Sequence, residues 1–323
     1  MDKNLTSPEQ RKYWRNEKIA FLALSSIEGI NFWSLHKIAS SGQSFNDALR
    51  NPSAEFIQTV ASASSKDPQA QELESLQETL WQKGLELARK LKESATILVF
   101  KDEDGFPLKL RETKDSPEWI FIQGNPHCLY DYSIAIVGTR DASEDGAFLT
   151  RMLVSALSES NITTISGLAA GIDQLAHTES IRYGIKTAAV LGTGIFLDYP
   201  KGSEIIRHRI IQAGGCVVSE YLPYQRSSPE NFVRRNRIQA ALCDTLVPVE
   251  WKIKSGTAHT VGFAKKYNKN IANIFLPQTY HARPELAFSE QEHGALSFEL
   301  PISIVTLLTF AFTPKKPDQK QLL

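Results

Sequence analysis

Cysteine is scarce, with three in 323 residues. Cys128, Cys216 and Cys243 lie far apart and form no C-x-x-C pair, so neither a zinc site nor a disulfide framework has support, and buried reduced thiols are the expectation. An excess of one charge is missing too, because 36 Lys and Arg balance 36 Asp and Glu. That excludes a chain that coats polyanions by bulk charge, and any polyanion site has to be a local basic patch. Long apolar runs are also absent. The longest, Ile302 to Phe312, falls well short of the roughly 20 residues of a membrane-crossing helix. The segment Met1 to Lys18 is polar and charged where a secretory leader needs an apolar core. A cytoplasmic location, no membrane role, no metal and no cofactor are the expectations.

What remains is an ordinary globular composition, 42% apolar and 22% charged, with enough length for a large domain and a smaller one. From Lys18 to Leu91 apolar residues recur three and four positions apart, in Ile19, Leu22, Leu24 and Ile27 and again in Leu73, Leu76, Leu80, Leu85 and Leu87. Gly29 ends the first helix and Ser62 to Pro68 reads as a polar turn region, which predicts a helical domain over residues 1–92. Thr96 to Phe100 and Trp119 to Gln123 are candidate strands of a β-rich entry to the next domain, 93–312, and residues 313–323 read as a polar tail.

Beyond Tyr132 short apolar runs alternate with helical patterns. Ser133 to Val137, Ile162 to Ile165, Thr187 to Leu191, Cys216 to Ser219, Thr245 to Val249 and Ile271 to Phe275 are the runs. Phe148 to Leu157, Ala170 to Arg182, Glu204 to Gln212, Phe232 to Cys243 and Ala258 to Lys266 are the intervening helices. Each pair of parallel strands needs a crossover, so this alternation predicts an α/β fold: a doubly wound, Rossmann-like parallel sheet with helices on both faces.

Ligands in such sheets sit outside the carboxyl ends of the strands. The first strand runs into Gly138-Thr139-Arg140, a glycine for close approach, a hydroxyl and a guanidinium that can fork onto a phosphate. The second runs into Ser166-Gly167-Leu168-Ala169-Ala170-Gly171-Ile172-Asp173 and a helix N-terminus. The third runs into Gly192-Thr193-Gly194, and the fifth into Glu250 and then Ser255-Gly256-Thr257. Together these turns suggest a phosphate-binding rim, although a lone glycine turn is more often only a tight turn. Between Gln225 and Ala240 stand Arg226, Arg234, Arg235 and Arg237 against Glu230, with Phe232 as a candidate base-stacking ring. A solvated helix face with Phe232 in the core explains that segment equally well. Asp173 and His177, four apart on one helix, invite an acid–base reading. An Asp at a helix start more often caps, so no catalytic residue is assigned there, nor at Glu220 or Glu250.

The order G-T-R, S-G-L-A-A-G-I-D followed by A-H, V-L-G-T-G with Tyr199-Pro200 downstream, Ser219-Glu220-Tyr221, F-V-R-R-N-R, V-E and S-G-T resembles the Rossmann-like core of the DNA-processing protein A (DprA, or Smf) family, over about Ile120 to Phe275. The helices before it resemble that family's sterile-alpha-motif-like domain. The resemblance implies single-stranded DNA binding, a homodimer and loading of the recombinase RecA. It places Arg140, with Thr139, on a backbone phosphate, lets Gly138 and Gly167 admit the strand, and lays Phe232 against a base. Arg235, Asn236 and Arg237 complete the pocket, with Gly171, Gly192, Ser255 and Gly256 on its rim. Arg235 and Arg237 can equally hold strand-end carbonyls.

The sequence also departs from that pattern. Val233 stands for the proline of F-P-x-R-N-R, Pro277-Gln278 for a proline-glycine, and the customary glycine- and asparagine-bearing loop does not follow Thr279. The residues after it are too few for the winged helix that some members append. Recombinase loading therefore stays open beside two other readings. One is a DprA-like antitoxin acting on a toxin partner in a defence module. The other is a nucleotide-binding or nucleotide-hydrolysing protein, against which stands the missing P-G-G-x-G-T-x-x-E signature.

Overall fold

The structure is a computed structural model that describes residues 7–51 and 70–315. The Ser62 to Pro68 turn region and the end of the tail lie outside the described residues. Two compact units divide at Asp104 and Gly105.

The first unit holds α1 (Pro8–Ser25), α2 (Phe32–Ser40), α3 (Phe45–Arg50), α4 (Ala70–Glu93) and β1 (Thr96–Phe100). Helix α1 starts with a capping box, Ser7 and Gln10 each satisfying the other's amide, and with Pro8 at the first turn. Glu17 is buried, and its carboxylate accepts from the amides of Phe45 and Asn46 at 2.8 and 3.1 Å, which caps α3 from a distance. The strand Thr96–Phe100 ends this unit and packs on its helices. Its Phe100 ring stacks on Trp14 at 5.9 Å and on Phe45 at 5.4 Å, and Phe21 meets it edge-on at 5.6 Å.

The second unit is the doubly wound α/β domain. It begins with α5 (Leu108–Arg111) and β2 (Trp119–Gly124), then β3 (Ser133–Val137), α6 (Glu144–Ala156), β4 (Thr163–Ser166), α7 (Ile172–Arg182) and β5 (Lys186–Val190). It continues through α8 (Glu204–Gln212), β6 (Cys216–Ser219), α9 (Pro229–Leu242), β7 (Thr245–Pro248), α10 (Gly256–Lys266) and β8 (Asn270–Phe275), and ends in α11 (Pro284–His293), β9 (Leu296–Glu299) and α12 (Ile304–Ala311). Within this unit the strand order is β2-β6-β5-β4-β3-β7-β8-β9. Strand β2 runs antiparallel to β6, with Phe121 opposite Ser219, and the others pair in parallel.

Strand β3 is buried along its whole length, as helices on both faces require. Ile134 and Ile136 join Leu149, Val154, Ile172, Val247 and Ile274 in one apolar cluster. The chain winds outward from β3 to β6 and then returns to lay β7 on the other side of β3. That reversal opens a crevice at the carboxyl ends of β3 and β7, the switch point where such sheets take ligands. The longest apolar run, Ile302 to Phe312, forms helix α12 over most of its length because its apolar positions follow a helical spacing. Leu307 faces the core while Ile302 and Val305 stand exposed.

Candidate functional site

A cleft of about 1000 Å³ opens at the switch point, lined on one side by Thr139, Arg140, Ser143 and Phe232 and on the other by Glu250, Lys252, Gly256 and Arg283. Arg140 follows β3 and is exposed. Its guanidinium sits 5.5 Å from the centre of the Phe232 ring, a cation–π arrangement. It forms no ion pair with any described residue. The Thr139 amide donates to the Glu250 carbonyl at 2.7 Å and its hydroxyl accepts from the Asp141 amide at 3.2 Å, leaving the hydroxyl proton to donate into the cleft.

The glycines are accounted for by contacts inside the protein. A methyl group on Gly167 would lie 2.3 Å from the Arg235 guanidinium and 2.6 Å from the Asp173 carboxylate. On Gly138 it would strike Ile172 at 2.6 Å, and on Gly192 the Phe232 ring at 2.5 Å. Gly171 has φ +78° and packs on the Thr139 and Arg140 carbonyls, a backbone that other residues adopt only with strain. At Gly256 the space is open. The close approach at Gly138, Gly167 and Gly192 is thus made by the chain's own side chains, while Gly256 borders the cleft.

The arginines of α9 point inward. Arg235 is 4% exposed; its Nη1 donates to the Gly167 carbonyl at 2.6 Å and to the Val190 carbonyl, and its Nε to Asn236 at 3.2 Å. These are the strand-end carbonyls that the alternative reading named. Asn236 passes the link on to the Gly256 carbonyl at 2.9 Å. Arg237 forks onto Glu220 through two bonds of 2.7 Å, with both groups buried. Of the basic residues between Gln225 and Ala240, Arg226 is exposed, so the segment is no continuous surface patch.

The carboxylates are similarly engaged. Glu250 accepts from the Ser143 amide and hydroxyl at 3.0 and 3.1 Å while Ser143 caps α6. Burial pushes the Asp173 carboxyl above its ordinary range, and the Arg235 charge and bonds from Ser166, Ala169 and Gly167 pull it back. Asp173 therefore secures the turn before α7. His177 is fully buried and bonds Thr187 at 2.7 Å. Burial, and then the charge of Arg235, lowers its pKa to about 3, so it is neutral at any ordinary pH.

Ser255 caps α10, and Thr257 ties that helix to the end of β3 by donating to the Gly138 carbonyl at 3.0 Å. Sequence reasoning missed Lys252, which lines the cleft; a lysine pair, Lys252 and Lys254, just before S-G-T was the available signal. It also missed Arg283, whose guanidinium closes the far end by donating to the carbonyls of Ile274 at 2.9 Å and Val249 at 2.6 Å. No local pattern marked that residue. No group of three or more His, Cys, Asp or Glu fit to hold a metal occurs among the described residues. No helix of the described residues is long and apolar enough to cross a membrane.

The sequence model of the family described as DNA recombination-mediator protein A matches residues 96–295. The DNA processing protein DprA of Streptococcus pneumoniae is 35% identical over 172 residues, 53% of this chain and 60% of that protein. Protein Smf of Escherichia coli is 31% identical over 174 residues, 54% of this chain and 46% of its own length. The chain thus spans about half the length of the relatives it matches. The X-ray structure of the Streptococcus pneumoniae protein superposes with a TM-score of 0.64 at 25% identity, covering 90% of this chain and 97% of that one. DNA processing protein A from Helicobacter pylori, whose structure is described for its single-stranded DNA binding mode, gives 0.57 at 26% identity, covering 66% and 96%. With a family match over more than half its length, laid on a doubly wound sheet of the same kind, this chain belongs to the DNA recombination-mediator protein A family.

Proposed function

We propose that the protein binds single-stranded DNA at the carboxyl edge of β3, as an accessory in DNA recombination or processing. The observation that carries this reading is Arg140, an exposed guanidinium without an ion-pair partner among the described residues, poised over the Phe232 ring. A phosphate takes the outer edge of the guanidinium and the Thr139 hydroxyl, and the adjoining base takes the ring. The related Helicobacter pylori protein, described for single-strand binding, supports the choice of ligand. No catalytic role is assigned to Glu250, Glu220 or Asp173, which are committed to Ser143, to Arg237 and to the turn before α7.

Fluorescence anisotropy of a labelled oligonucleotide tests the reading, with duplex and free nucleotides as competitors at two salt concentrations. A preference for the single strand that weakens with salt is expected; equal or stronger binding of free nucleotide would move the function to the nucleotide reading. Homodimerisation and loading of RecA belong to the same proposal. Ile302 and Val305, 78% and 73% exposed, are an apolar surface suited to a second copy. Light scattering across a dilution series checks the dimer, and RecA filament formation on protein-coated single strand checks the loading.

A further inference from the structure

Two loops beyond the strand ends carry rings that the site described above does not use. The loop after β5, Leu191 to Ser203, is sewn to the segment after β6: Gly194 donates to the Gln225 carbonyl at 2.8 Å and Phe196 to the Pro223 carbonyl at 3.0 Å. Gly194 is so close to the carbonyls of Leu222 and Pro223 that no side chain fits between them. Held by this seam, Phe196 lies 5.2 Å from Tyr224, and Tyr199 lies 5.2 Å from Phe232. Tyr199 is 40% exposed and Tyr224 56%. Large rings anchored by backbone bonds yet open to solvent are what a stacking platform needs, since little freedom is lost when a base lies down on them.

The rings give the direction, since Tyr199 lies against the same Phe232 ring on which Arg140 rests. On the cleft side of Arg140 stand the exposed Asp141, Glu144 and Asp145, with the exposed Lys252 across from them. On the ring side Lys201 and Arg226 are exposed. The acids there, Asp198, Glu204 and Glu230, are anionic too; Asp198 is fixed at the start of α8 by the Gly202 and Glu204 amides and the Ser203 hydroxyl, and Glu230 by its own amide and Ser228. Phe196 and Tyr199 are three residues apart, a reach of at most about 11 Å, enough for two or three stacked nucleotides.

We propose that Tyr199, Phe196 and Tyr224 form a base-stacking track that receives successive bases of a single strand leaving the Arg140–Phe232 site toward β6. This inference rests on the reading of Arg140 as the phosphate site. The rings act without sequence preference, because every base has a face to stack. Lys201 and Arg226 lie beside the track as contacts for its phosphates.

The test compares thymidine oligomers of about three and about nine nucleotides on the full chain, the Tyr224→Leu and Tyr224→Trp variants, and Arg140→Ala as the control for the parent reading. The wild type should prefer the longer oligomer, Tyr224→Leu should reduce that preference about tenfold, and Tyr224→Trp should keep it. A 2-aminopurine placed near the third nucleotide should be quenched by the wild type and by Tyr224→Trp, and released by Tyr224→Leu. Tyr224 is more than half exposed, and a melting curve confirms that each variant is folded. An unaltered length preference in folded Tyr224→Leu overturns the track while leaving the Arg140 reading intact, provided that Arg140→Ala still weakens both oligomers. A wild type that binds neither oligomer overturns the parent reading and the track together.

Discussion

Two arginines that look alike in the sequence should behave in opposite ways. Replacing Arg235 by alanine removes its bonds to the Gly167 and Val190 carbonyls and to Asn236, and deprives the buried Asp173 of its neighbouring positive charge. Breaking one partner of a buried charge arrangement costs about 3–5 kcal/mol. For a body of this size a kilocalorie moves the melting temperature by roughly 2–4 °C, so the second unit should melt about 6–20 °C lower. Arg140→Ala removes a solvent-exposed group and should leave the melting point almost unchanged. The same change should weaken single-strand binding by about 1.5–3 kcal/mol and make the slope of log affinity against log salt shallower by about 0.7. Arg140→Lys should recover part of the affinity, since an ammonium offers a point charge where a guanidinium offers a fork. Calorimetric melting and anisotropy on one preparation of each protein give both readouts. A well-folded Arg235→Ala protein that melts with the wild type and loses DNA would refute the division of labour, as would an Arg140→Ala protein that melts early and, while folded, binds normally.

Other outcomes follow from the same geometry. His177, held near pKa 3 in the folded chain against 6.5 unfolded, takes up a proton only on unfolding across that interval. Its contribution is therefore complete above about pH 6.5 and is lost as the pH falls. Urea titrations at about pH 6.5 and about pH 5 should show the wild type losing about 1.6 kcal/mol more than His177→Gln, and equal losses would contradict the assignment. Glu220→Gln should destabilise the second unit by about 3–5 kcal/mol by leaving the buried Arg237 without its fork; a melting temperature within a degree of wild type would argue against it. Burial pushes the Cys243 thiol up to about 11, and the neighbouring Cys128 together with burial raises Cys216. A thiol reagent at neutral pH should accordingly react slowly with the folded protein and quickly in denaturant, and fast labelling of the native chain would show that the cysteines are accessible.

The parallel sheet was legible because its strands are buried on both faces. Ser133 to Val137 and Thr245 to Val249 are unbroken apolar or small runs, and the helices between them carry their own period and caps, such as Ser143 before α6 and Ser255 before α10. The last part of the unit was not legible. Strand β9 is four residues long and partly exposed, so it has no alternation to detect, and Ile302 to Phe312 is apolar enough to suit a strand or a helix. The antiparallel partnership of β2 with β6 is a long-range pairing that no local pattern encodes. At the site, the turns were found because glycine clusters and caps are local signals. The position of Arg283 depends on two strand ends distant in sequence, and therefore left no trace.

Burial decides what the arginines of F-V-R-R-N-R do, and the sequence cannot express it. Helix α9 is buried without interruption from Arg235 to Leu242, so that stretch has no solvent face on which a cation could rest. A charged group in that position must find acceptors inside the protein. Arg235 takes two strand-end carbonyls and Arg237 a carboxylate, and in doing so they fix where β4, β5 and the segment after β6 end. Those ends define the rim. Phe232, one turn before the buried stretch, is seated against Gly192 by the same helix, and it is the ring on which Arg140 rests. Arg235 and Arg237 thus act indirectly: their guanidiniums hold the frame that presents the exposed Arg140 and its aromatic partner. A substitution in the frame should be read first as a loss of stability, and a substitution at Arg140 or along the rings first as a loss of affinity.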